Sequence, residues 1–149
     1  MAEKRTNSGK TLLLGAIILI LAAIWGVFRL SQTQSAGIPG DTNEQRISYI
    51  ESFGWDAGTV PTDSREVRIP ASFDAAYEQY NALQKEQGFD LRKYRACSVK
   101  KFTYTINNYD GSDPTVPIVA NLLVLDGEII GADISSAEAN GFVTVLAKQ

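Results

Sequence analysis

The sequence predicts an α+β protein: an N-terminal transmembrane helix, then a two-layer domain of two helices packed on an antiparallel meander sheet. Three observations predict it. Residues 11–28 form an uninterrupted run without a charged side chain. Two later segments place apolar residues three to four apart behind capping residues, as amphipathic helices do. The C-terminal third alternates with period two and contains Asp126-Gly127, a strong two-residue hairpin signal.

The apolar run reads TLLLGAIILILAAIWGVFRL over residues 11–30. Its 18 uncharged residues span about 27 Å as a helix, close to a hydrocarbon core of about 30 Å. No polar stripe faces water, and Trp25 lies near one end, where an amphipathic ring favours the headgroup level. Lys4, Arg5 and Lys10 precede the run and only Arg29 follows it before Arg46. That bias places residues 1–10 in the cytoplasm as a short tail and the C-terminal domain outside the plasma membrane. The competing reading is a cleaved leader, with a weak small-residue site near Ser35; the apolar run is longer than such leaders use. Membrane lipid is thus the first expected partner.

Charge divides along the same line. Of 14 Lys and Arg, four precede residue 31, and of 17 Asp and Glu only Glu3 does. Residues 31–149 therefore carry ten cations against sixteen anions, a net of −6. Such an acidic domain has no reason to bind nucleic acid. Cys97 is the single cysteine, so an internal disulfide is impossible and a packed core must suffice.

Residues 31–42 read as a linker, rich in Ser, Gln, Thr, Gly and Pro. The extracytoplasmic domain is then 43–149. Residues 42–53 predict a helix, with Thr42 and Gln45 as a capping box and Ile47, Ile50 and Phe53 on one face. Gly54 ends it, and Trp55 folds back onto the apolar face. Residues 66–69 predict a short edge strand between Pro61 and Pro70. Residues 72–87 predict the best helix, capped by Ser72, with Phe73, Ala76, Tyr77, Tyr80, Leu83 and Gln87 as its inner face. Residues 99–107, 116–125 and 128–134 predict three strands, the second central because both its faces are apolar. A final short strand is expected over 142–146.

Catalytic chemistry has little to stand on. There is no histidine, so Cys97 lacks the base a thiol nucleophile needs. Asp110 with Asp113, and Asp126 with Glu128 and Asp133, are the carboxylate groupings; turn aspartates ordinarily bond their own backbone. The Asp110 loop lacks the spacing and terminal Glu of a calcium loop. No cofactor or metal site is expected. Arg92, Lys93, Arg95, Lys100 and Lys101 put five positive charges within ten residues, a candidate basic interaction patch on an acidic domain.

A longer pattern joins these pieces. REVRIP at 65–70, FDAAYEQYNALQKEQGFDL at 73–91, Tyr94 and VKKFTY at 99–104 are followed by ANLLV at 120–124, Asp126-Gly127 and IGADI at 130–134. Together they resemble a family of small membrane-anchored exported proteins of Clostridia and related Gram-positive bacteria, a domain of unknown function. The likeness covers about residues 43–146. It implies a bacterial, singly anchored protein and no assigned reaction. The family's cysteine near Ser135 or Ser136 is absent here, so no thiol is implied at that position.

The function expected is a membrane-anchored, non-enzymatic extracytoplasmic interaction domain, binding an envelope protein or an anionic wall polymer. The alternative is an exported hydrolase using carboxylate or serine chemistry, which would need a pocket of convergent polar groups.

Overall fold

The computed structural model describes residues 37–110, 115–138 and 141–148. The expected tail (1–10), membrane helix (11–30) and first half of the linker lie outside the described residues. Among the described residues no helix is long and apolar enough to cross a membrane.

The elements run β1 (Ile38–Pro39), α1 (Asn43–Glu51), β2 (Asp63–Arg68), α2 (Ala75–Glu86), a 3-10 turn (Leu91–Tyr94), β3 (Ser98–Thr105), β4 (Ile118–Leu125), β5 (Glu128–Ser136) and β6 (Val143–Thr144). As expected, the domain is two helices on an antiparallel sheet. Strands β2 to β5 form a consecutive meander, and the six-stranded order is β1-β5-β4-β3-β2, with β6 also pairing β5.

Local chemistry sets the boundaries. Thr42 accepts from Gln45 N–H while the Gln45 side chain accepts from Thr42 N–H, the expected capping box. The second helix starts later than its Ser72 cap would place it. Asp74 caps it instead, accepting from Tyr77 N–H at 2.8 Å. Asp126 and Gly127 have φ of 50° and 81°, the two positive values a type I′ turn requires. Residues 38 and 39, expected within the linker, form a strand instead. Ile38 lies opposite Ile129 and packs against the core, so burial overrides the turn-forming neighbours.

The two helices occupy different faces of the sheet, so the expected two-layer arrangement is corrected. Alternation along β4 sends Ala120, Leu122 and Val124 to one cluster, together with Ile50 of α1, Tyr104 and Ile134. Leu123 and Leu125 go to the other, which holds Tyr77 and Tyr80 of α2. Period two alone showed that both faces of β4 were apolar; it did not show that each had its own helix. A bulge keeps β5 in step: Leu123 faces Gly131, Val124 faces Ile129, and Ile130 is the extra residue. Ile129 therefore joins the α1 side and Ile130 the α2 side.

Helix α2 also buries different residues from those its apolar spacing selects. Asn81 and Gln84 are the buried ones, while Ala76 is exposed and Leu83 half-buried. Both amides are fully engaged, mostly with backbone. Asn81 Oδ1 accepts from Leu91 N–H and its Nδ2 donates to Asp90, which fixes the 3-10 turn. Gln84 serves β5, whose outer edge is covered by β1 at one end and β6 at the other. Between them, among the described residues, no strand covers the outer edge of Ala132, and the Gln84 amide takes that place.

Candidate functional site

Among the described residues, the α2 side of the sheet is only partly covered. Helix α2 lies at the β5 end, where Tyr80 reaches Asp133. Toward β2 the same face stays open, with Lys101, Thr103, Thr105 and Val119 half-buried. The opposite face of the same strands buries Tyr104, Ala120 and Leu122. The open half is a groove of about 580 Å³ that runs on to Ser135, Ser136 and Pro117.

A polar row crosses this face from edge to edge. Cα register sets Asp63 opposite Thr103, Thr103 opposite Asn121, and Asn121 opposite Asp133. Thr103 Oγ1 donates to Asn121 Oδ1 at 2.9 Å. Asn121 Nδ2 donates to Asp133 Oδ1 at 2.7 Å and to Ser135 Oγ at 2.9 Å. Tyr80 Oη donates to Asp133 Oδ2 at 2.8 Å. Both Asp133 oxygens therefore accept a bond, which is what a carboxylate 5% exposed needs.

Burial dominates the electrostatics of the row. It pushes the Asp133 carboxyl above its ordinary value, against the bonds from Asn121 and Tyr80 and the nearby charge of Lys101. Burial likewise raises the Tyr80 hydroxyl, helped by the Asp133 charge. Tyr80 thus keeps its proton and stays a donor to Asp133. The arrangement holds a polar surface rigid.

The candidate basic residues are divided by the fold. Arg92 and Lys93 lie on the 3-10 turn, where Arg92 pairs with Glu78 of α2. Arg95 follows, its guanidinium 5.1 Å from the centre of the Phe73 ring. Lys100 and Lys101 are neighbours on β3 and point to opposite faces. Only Lys101 lines the open groove. Cys97 is half-buried before β3, its thiol 3.8 Å from the Arg95 carbonyl. Of the carboxylate groupings, Asp126 occupies the hairpin turn and Asp133 the buried row, while Asp113 lies outside the described residues. Among the described residues no three His, Cys, Asp or Glu converge to hold a metal ion.

Sequence reasoning missed Tyr80, Asn121 and Asp133 as a unit. The available signal was a lone Asn and a lone Asp inside otherwise apolar strands, in register across an Asp-Gly hairpin. Comparison with protein families matches residues 49–134 to the Domain of unknown function (DUF4830). The chain belongs to this family. The DUF4830 match runs from within α1 to β5, so it includes Tyr80, Thr103, Asn121 and Asp133 and stops before Ser135. The comparisons with curated proteins and with solved structures return no match.

Proposed function

We propose that this DUF4830 protein is a membrane-anchored extracytoplasmic interaction module, without enzymatic activity, that binds an envelope protein across the open half of its sheet. The observation that carries the reading is the row Asp63–Thr103–Asn121–Asp133. It is rigid and polar, and flanked by Lys101 and Val119 on a face left half uncovered. Mixed polar and apolar side chains on a fixed surface are what a protein interface uses. Binding is favoured over hydrolysis because the oxygens of Asp133 are already committed to Asn121 and Tyr80. The anchor rests on the uncharged run at 11–28, and the exported orientation on the basic flank before it.

A second reading, an anionic wall polymer as partner, draws on exposed Lys93 and Arg95 beside Arg92. Salt separates the two, since polymer binding through those residues falls steeply with ionic strength.

The test is site-directed photocrosslinking of the full-length chain in its native membrane. A probe at Val119 is expected to trap one partner that a probe at Ala82, on the outer side of α2, does not. Lys101→Glu should abolish the product. Equal trapping at both positions, or none at Val119, overturns the reading.

A further inference from the structure

A second site lies on the other face, at the hairpin end of the sheet. Arg46 of α1 is 6% exposed and forms no ion pair among the described residues. Its Nε donates to Tyr104 Oη, and its Nη1 donates to the carbonyls of Gly40 and Asp41, each at 2.8 Å. The guanidinium carbon lies 3.7 Å from the centre of the Phe102 ring. The remaining nitrogen, Nη2, has no hydrogen-bond partner among the described residues, and Arg46 lines a cleft of about 340 Å³. A buried cation with one uncommitted donor edge at a cleft is a prepared anion contact.

The rest of the lining narrows the ligand. Lys100 projects from β3 on this face and forms no ion pair among the described residues, although Glu66 is its cross-strand neighbour. Asp41, Glu66 and Asp126 supply three carboxylates, and Phe102 and Val124 supply apolar surface. A dianion such as phosphate would meet those three carboxylates at once. A ligand that brings its own cation offsets that repulsion.

We propose that the Arg46 cleft binds a small zwitterion, an α-amino acid or short peptide. Its carboxylate is held between Arg46 Nη2 and Lys100, and its ammonium faces the Asp41 and Asp126 side. Two oxygens then meet two separate donors, because Arg46 has only one nitrogen left to give. This site is independent of the partner-binding face. Lys100 serves the cleft and Lys101 the opposite groove.

The test is titration of the full-length chain with glycine, alanyl-alanine, acetate and methylammonium, followed through the amide resonances of Lys100 and Gly127. Glycine or alanyl-alanine is expected to give saturable shifts, while acetate and methylammonium bind at least about tenfold more weakly. Preference for glycine marks a free amino acid, and preference for alanyl-alanine marks a peptide. Lys100→Ala and Asp126→Asn, the latter keeping a residue that tolerates the turn, should each weaken binding about tenfold with an unchanged thermal midpoint. Acetate binding as well as glycine, no saturable shift with any probe, or binding indifferent to both substitutions overturns the proposal.

Discussion

The Gln84 side chain closes both free backbone hydrogen bonds of Ala132. Its Nε2 donates to the Ala132 carbonyl at 2.9 Å and its Oε1 accepts from the Ala132 N–H at 2.8 Å. One amide thus imitates the strand that is missing between β1 and β6. Gln87 extends the patch, donating from Nε2 to the same carbonyl and accepting from Leu146 N–H. Helix α2, the β5 edge and the C-terminal segment are tied together by two glutamines.

Gln84→Leu keeps the bulk and removes both bonds. Ala132 N–H is then buried without a partner, while its carbonyl keeps Gln87. A loss of about 2–3 kcal/mol is expected from urea unfolding, since one orphaned buried group costs about 1–3 kcal/mol and a lost bond adds to it. A loss below about 0.5 kcal/mol would show that water replaces the amide.

Gly131→Ala tests the same junction by volume. A Cβ there would meet Gln84 Oε1, Leu123 Cδ1 and Leu91 Cδ2, all at 3.2 Å. The expected cost is about 1–3 kcal/mol, the usual range for overpacking. In the Gln84→Leu background the two effects should be non-additive, because the residues touch.

The Asp133 carboxyl titrates above its ordinary value of 3.8 in the folded chain because it is buried. A raised folded value means the native state holds the proton more tightly than the unfolded chain. The stability linked to that proton is fully present below 3.8 and is lost as pH rises through the raised value. The difference in unfolding free energy between wild type and Asp133→Asn should therefore shift in favour of the variant as pH rises across that window. It should be flat above it. A pH-independent difference contradicts the raised value.

Gly127→Ala places a Cβ at φ 81° in the type I′ turn, with Asp41 Cβ 3.4 Å away. The left-handed conformation costs about 1–2 kcal/mol for a residue with a Cβ. The thermal midpoint should fall accordingly, and Gly127→Asn should recover part of it, because Asn tolerates this region.

Membrane anchoring is tested by alkaline carbonate extraction. Wild type is expected in the membrane pellet. Ile18→Arg with Leu19→Arg, at the centre of the uncharged run, should move the chain to the supernatant, since each central Arg costs about 2.5–3.5 kcal/mol on insertion scales. Wild type in the supernatant would remove the anchor from the proposed function.

Several features of the domain were legible in the residues because their causes are local. The Thr42–Gln45 capping box, the Asp126-Gly127 turn, the edge placement of β2 and the central placement of β4 each depend on a few neighbours in the chain. So did the α+β class and the meander from β2 to β5. The late start of α2 was a local misreading, in which Asp74 outcompeted Ser72 for the cap.

The tertiary structure decided what depends on which faces meet. Period-two spacing showed that Leu122 and Leu123 were both apolar, and only the packed fold assigned one to α1 and the other to α2. Burial of Asn81, Gln84, Arg46 and Asp133 ran against their polarity. Each is buried because another part of the chain supplies its hydrogen bonds, as the Gly40 and Asp41 carbonyls do for Arg46. A run of five basic residues looked like one patch in the sequence, but strand alternation sends Lys100 and Lys101 to opposite sides. Spacing along the chain determined the local elements. The partners that let polar groups be buried were fixed only when distant strands came into register.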